Sequence, residues 1–143
     1  MEITVKKTRP ARVPLQKLTA LGERLLVSEG WPADVEVDLW LCSDAEIHAL
    51  NRQYRAKDQP TDVLSFPQYA PGDKPQPGLP LHLGDVVISV DTATRQARER
   101  GVSPGYEITW LWLHSLLHLI GYDDDSDEAL ETMVSKARVA LGI

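Results

Sequence analysis

His114 and His118 stand four positions apart in the run His114-Ser115-Leu116-Leu117-His118-Leu119-Ile120-Gly121-Tyr122-Asp123-Asp124, at the end of the apolar stretch Ile108–Leu113. On a helix, side chains at i and i+4 share a face, so two imidazoles so spaced can grip one cation. Gly121 offers a left-handed turn that ends such a helix. The chain can then fold back and present Asp124 as a third ligand, with Asp123 and Asp125 beside it as the alternatives. Three protein ligands leave one position open, which is the arrangement of a catalytic metal; a structural zinc usually fills all four positions with protein ligands. The plain alternative is a pair of core histidines on an apolar helix.

The remaining pattern supplies the elements that must hold such a site. Glu2–Lys7 alternates and suits a strand. Leu15, Leu18, Leu21 and Leu25 recur at helical spacing after Pro14 and predict a helix ending near Gly30. Val35–Leu41 alternates again. Ser43 or Asp44 reads as the N-cap of a helix through Ile47, Leu50 and Tyr54. Val63–Phe66 is a short strand closed by Pro67, and residues 68–80, rich in proline and glycine, are an expected exposed loop. Gly84–Val90 reads as a buried strand, with Asp91 capping a helix that runs to Arg100. The histidine-bearing helix is expected from about Pro104, and a last helix from about Asp127 to Leu141. Residues 1–143 are thus expected to form a single α+β domain with a small mixed sheet packed by about five helices.

A chain of 143 residues, 43% apolar and 25% charged, can bury a core of its own. Its one cysteine, Cys42, rules out an internal disulfide and a thiolate metal cluster, and its apolar surroundings predict an inert buried thiol. No charged-then-apolar leader and no bilayer-length apolar span is evident, so the expected compartment is the cytoplasm. The net charge of −6 argues mildly against a nucleic-acid partner. Its distribution argues the other way: Lys6, Lys7, Arg9, Arg12 and Lys17 cluster, as do Arg52, Arg55 and Lys57, and Arg95, Arg98 and Arg100. A basic face and a merely solvated charge pattern are both compatible with this composition.

Three blocks carry a family resemblance. His114–Asp124 resembles the signature H-G-x-L-H-L-x-G-Y-D-H of the YbeY endoribonucleases. Leu50-Asn51-Arg52-Gln53-Tyr54-Arg55-Ala56-Lys57-Asp58-Gln59-Pro60-Thr61-Asp62-Val63-Leu64-Ser65-Phe66-Pro67 is similar to a second block of that family, and Leu83–Ser89 to a third. A lone H-x-x-x-H is weak evidence, whereas three long blocks in the family's order are specific. The resemblance implies a zincin-like metal helix within a single-domain hydrolase fold and one zinc ion per chain. It further implies single-stranded RNA as substrate, with roles in maturing the 3′ end of small-subunit (16S) rRNA and in ribosome quality control.

Two positions depart from the family pattern. The family's third ligand is histidine where this chain has Asp124, and its glycine after the first histidine is here Ser115. Zinc accepts a carboxylate oxygen at similar distances. The anionic ligand lowers the metal's effective charge and moves preference slightly toward harder divalent cations such as Mn²⁺. The arginine that is functionally important in the family matches Arg55. Its guanidinium, always charged, suits bidentate contact with phosphate oxygens and stabilisation of a pentacovalent transition state, with Lys57 assisting by charge. A surface ion pair of Arg55 with Asp58 or Asp62 is the rival reading. The general base stays open between water at the metal and the RNA's own 2′-hydroxyl.

Other residues have structural readings. Thr61 and Asp62 shape a turn, and Asp85 serves strand packing or the orientation of a ligand imidazole. His82 reads as a solvated loop residue rather than a fourth ligand, and Trp110 and Trp112 as core rather than stacking platforms. Two other classes compete with the ribonuclease: a metallopeptidase or other metal hydrolase, and a ribosome-associated binding factor whose metal only holds the fold. No glutamate follows His114, where H-E-x-x-H peptidases keep their base.

Overall fold

A computed structural model of the chain describes residues 1–73 and 81–143, which form an α+β fold. Among the described residues the order is β1 (Glu2–Lys7), α1 (Leu15–Ser28), β2 (Val35–Cys42), α2 (Asp44–Arg55), β3 (Val63–Pro67), β4 (Leu81–Ser89), α3 (Val90–Arg100), α4 (Pro104–Leu119) and α5 (Asp127–Leu141). The sheet runs β1-β2-β4-β3. β1, β2 and β4 are parallel, and β3 closes the edge antiparallel to β4. No helix among them is long and apolar enough to cross a membrane.

Alternation along β2 sorts its residues onto two faces. Val35, Val37, Leu39 and Leu41 are buried in the main core with Leu18, Leu25, Ile108, Trp112, Leu116 and Met133 from α1, α4 and α5. The opposite face is only partly covered. There α2 adds Ile47 and Leu50 to a smaller cluster with Cys42, Leu64, Val87, Trp40 and Phe66. Burial raises the Cys42 thiol to about 12, with Glu46, Asp44 and Asp91 adding to the rise, so it is inert as expected.

Local chemistry sets the helix ends. Ser43 caps α2 in a reciprocal box with Glu46. The cap of α3 is Ser89, whose Oγ accepts from Thr92 N–H, rather than the expected Asp91. Asp91 lies in the first turn and accepts instead from Arg9 Nε and the Asp44 N–H. β4 starts at Leu81, three residues earlier than the alternation suggested. At Gly84 (φ +148°) an added Cβ would sit 2.4 Å from the Phe66 carbonyl oxygen and 2.9 Å from Leu119 Cδ2. Glycine here lets β3 and the end of α4 close on β4. Of the expected loop, residues 68–73 lie outside strands and helices, and 74–80 fall outside the described residues.

Candidate metal centre

The apolar helix α4 carries the two histidines into a cleft beside β3. Ser103 caps its start, accepting from Tyr106 N–H, and Pro104 occupies the first turn. Its end is a Schellman motif: Gly121 N–H donates to the His118 carbonyl and Tyr122 N–H to the Leu117 carbonyl. Gly121 takes φ +107°, the positive angle its type permits. The reversal brings the following residues back over the last turn of the helix.

Three donor atoms converge there. His114 Nε2 lies 3.2 Å from His118 Nε2 and 3.3 Å from Asp124 Oδ2, and His118 Nε2 lies 3.4 Å from the same oxygen. Donors about 2.0–2.1 Å from a tetrahedral zinc stand roughly 3.3–3.4 Å apart, so the triangle fits that ion. Its donor set, two nitrogens and a carboxylate oxygen, suits zinc or a harder divalent cation. A carbonyl only accepts, so the 3.0 Å contact of His118 Nδ1 with the Tyr122 carbonyl assigns the ring proton to Nδ1. That turns the Nε2 lone pair toward the other two donors. Burial, then His118, holds His114 below the ordinary imidazole value against the opposing pull of Asp124 and Asp62, which keeps its ring neutral and able to bind. Burial alone would raise the Asp124 carboxyl, but the two imidazoles outweigh it and hold the acid below its usual value.

The cleft measures about 690 Å³, and Arg55, Tyr54, Asp62, Ser65, Tyr122 and Asp123 line it with the triad. Arg55 arrives in the last turn of α2, and Ala56, in the left-handed conformation at φ 55°, ends the helix behind it. The acids that could have neutralised Arg55 are engaged elsewhere. Asp58 meets His48 at 2.8 Å, and Asp62 accepts from Val63 N–H and Gln96 Nε2. Lys57 is exposed beyond the helix end and is not among the cleft-lining residues. Asp123 turns one oxygen to the Asp125 N–H, while Asp125 lies outside the lining. The basic clusters are partly spent on ion pairs: Arg9 with Asp91, Arg95 with Asp44, and Arg100 with the buried Glu107.

Ser115, where the family pattern has glycine, is fully buried and meets Ser65 Oγ at 2.6 Å, joining α4 to β3. Asp62 does shape its turn, but it also faces the cleft, which its sequence neighbourhood did not suggest. His82 departs from its expected loop, whereas Asp85 lies in the strand expected for it. Both lie on β4, on the partly covered face of the sheet, His82 with Nε2 3.0 Å from Asp38 Oδ2. Neither lines the metal cleft. Trp112 is buried, its indole N–H donating to the Leu18 carbonyl, as a core residue should. Tyr54, Ser65 and Tyr122 were not singled out from the sequence, although each lies inside one of the resembling blocks.

Known proteins resemble this chain over most of its length. A sequence profile for the family described as Endoribonuclease YbeY matches residues 3–142. A protein of that name from Picosynechococcus is 50% identical over 113 residues, covering 77% of this chain and 69% of its own. Another from Pelotomaculum thermopropionicum is 44% identical over 132 residues, covering 87% and 82%. The solution structure of TM1509 from Thermotoga maritima superposes with a TM-score of 0.61 at 28% identity, covering 98% of this chain and 89% of that one. With a family profile spanning nearly every residue, the chain belongs to the YbeY family of endoribonucleases.

Proposed function

We propose that this endoribonuclease is zinc-dependent, cuts single-stranded RNA, and acts in the cytoplasm on small-subunit (16S) rRNA, in maturation of its 3′ end and in ribosome quality control. The observation that carries the reading is the convergence of His114 Nε2, His118 Nε2 and Asp124 Oδ2 in a cleft that Arg55 also lines. His114, His118 and Asp124 are the proposed zinc ligands, Arg55 the catalytic cation, and Arg55 and Lys57 the phosphate contacts. Zinc bound there supplies Lewis acidity toward a phosphodiester.

The chain's own residues do the rest. Arg55 holds non-bridging phosphate oxygens through two N–H groups and offsets the charge that grows on them as the phosphorus becomes pentacovalent. The Tyr122 carbonyl keeps the His118 proton on Nδ1, away from the reacting side. Lys57, outside the cleft lining, meets the strand where it leaves. A cleft between a helix and a sheet edge admits a strand whose bases are free to turn outward, and paired bases in a duplex are not.

The test is cleavage of short single-stranded and duplex RNAs by wild type, Arg55→Ala and His114→Ala prepared identically, with bound metal counted. Wild type should hold one zinc and cut single strands. Arg55→Ala should lose about 10²–10³-fold in kcat/KM, on the scale of losing one transition-state donor. His114→Ala should lose both the metal and the cutting. Equal cleavage by all three preparations would overturn the reading.

A further inference from the structure

The partly covered face of the sheet carries two lateral rows of side chains. Phe66 is paired with Asp85, Asp85 with Asp38, and Asp38 with Thr4. In the next row Leu64 is paired with Val87, Val87 with Trp40, and Trp40 with Lys6. The first row is an aromatic ring followed by two carboxylates; the second is apolar and ends on a cation. With Tyr54 from α2, these rows apart from Leu64 line a cavity of about 510 Å³.

Tyr54 joins this cavity to the metal cleft, since it and Phe66 line both. Tyr54 is 60% exposed, yet its ring is held edge-on to Phe66 with centroids 5.3 Å apart and planes at 75°. So exposed a residue adds little to the core, and its preset orientation leaves a flat apolar surface beside Arg55. Trp40 extends the aromatic surface, its indole N–H taken by Thr8 Oγ1 and its ring covered by Lys6 Nζ at 4.5 Å. The cavity's polar groups are the Thr4 and Tyr54 hydroxyls, Lys6, whose Nζ lies over Trp40, and two carboxylates, which only accept. Asp38 and Asp85 stand side by side, and burial followed by the charge of Asp38 raises the Asp85 carboxyl. Two carboxylates repel a phosphate and accept from the N–H groups of a base edge.

We propose that the RNA strand leaving the metal cleft crosses Tyr54 and seats an unpaired base in this cavity, stacked on the Tyr54 ring with its amino-bearing edge toward Asp38 and Asp85. The proposal rests on the ribonuclease reading above and adds a base preference to it. Cytosine, adenine and guanine each present an amino group. Uracil presents one N–H between two carbonyl oxygens, which the carboxylates repel, so it is the disfavoured base. Stacking itself tolerates every base, and the carboxylates discriminate.

The test is fluorescence anisotropy of labelled A, C and U oligomers with metal-loaded protein, using phosphorothioate linkages and 2′-O-methyl sugars to resist cutting. Tyr54→Ala should weaken the A and C oligomers about fivefold or more, with Tyr54→Phe close to wild type. The U oligomer should bind wild type most weakly, and Asp85→Asn should narrow the gap between C and U. Because Tyr54 is a surface residue, melting temperatures of its variants should match wild type, separating stacking from folding. Unchanged affinity in Tyr54→Ala, with wild type still cutting unmodified RNA, overturns this subsite and leaves the ribonuclease standing. Wild type that neither binds nor cuts single strands overturns both. Asp38, His82 and Asp85 also lie within ligating reach of one another. Two metal ions per wild-type chain and one per Asp85→Asn chain would assign the carboxylates to a second cation and overturn the base assignment.

Discussion

At the scale of single residues, His118 shows how one backbone carbonyl prepares a side chain for a cation. The glycine turn after α4 places the Tyr122 oxygen 3.0 Å from Nδ1, so the tautomer follows from the way the helix ends. The same turn carries Asp124 to within 3.4 Å of both imidazoles. Two lone pairs facing at 3.2 Å repel, and a shared cation or proton removes the repulsion. Removing the carboxylate from this triangle in Asp124→Ala should weaken zinc binding by at least about 100-fold, at or beyond the upper end of what losing an outer-shell partner costs. Asp124→His should keep or tighten it, because imidazole nitrogen is as good a zinc ligand and nearly as short. Competition against a chromogenic chelator reads both constants. Unchanged affinity in the alanine variant would transfer the third ligand to Asp123, the neighbouring acid that also lines the cleft.

At the scale of elements, the starts of α2 and α3 are cross-clamped through two aspartates. Asp44 Oδ1 accepts from Ser89 Oγ and Thr92 Oγ1 at 2.6 Å each, and its other oxygen pairs with Arg95 at 2.9 Å. Asp91 returns the contact by accepting from the Asp44 N–H. Burial raises the Asp44 carboxyl, but the bonds from Ser89, Thr92 and Arg95 together outweigh it and hold the acid below its ordinary value. A carboxylate lowered on folding contributes stability above its unfolded pKa of about 3.9 and loses it as pH falls through the folded value. Asp44→Asn should therefore cost about 1 kcal/mol near pH 7, roughly 3–5 °C in Tm, with the gap closing below about pH 4. A gap that stays constant down to pH 2 would show that the charge is not its source. Little of this clamp was legible in sequence. Asp91 looked like a cap because an acid in a first turn and an acid at an N-cap occupy neighbouring positions. Ser43, with Glu46 three residues on, was legible because the whole capping box is local. His82 was misplaced for a different reason. The register shifts between Glu36 and Val37 where β4 pairs with β2, and the interrupted alternation hides that the strand already begins at Leu81. The convergence of His114, His118 and Asp124 was readable because helix, turn and acid lie within eleven consecutive positions, whereas the approach of Arg55 to them needs β3 and α4 to pack.

At the scale of the whole molecule, the loop carrying Asp124 is tied to two helices distant in sequence. Tyr122 Oη donates to Glu29 Oε2 at 2.9 Å just past the end of α1, and Lys136 of α5 reaches Glu29 Oε1 at 2.8 Å with its Nζ 5.3 Å from the centre of the Tyr122 ring. The main core, by contrast, contains none of the three donors. That separation predicts what chelation does. An unfolded chain does not present the triangle, so bound metal stabilises the folded state by mass action, about 2.7 kcal/mol at a hundredfold excess over Kd. For a domain of this size that is roughly 10 °C in Tm. Stripping the metal with EDTA should lower Tm by that order while the far-ultraviolet spectrum and a single cooperative transition persist, because the core and the Tyr122–Glu29–Lys136 tie remain. Unfolding on chelation, as in a zinc finger, would instead mean that the metal holds the fold. No change in Tm at a saturating metal concentration would mean that His114, His118 and Asp124 bind no ion. The catalytic reading requires the intermediate result, in which activity disappears entirely while the fold survives with a lower melting temperature.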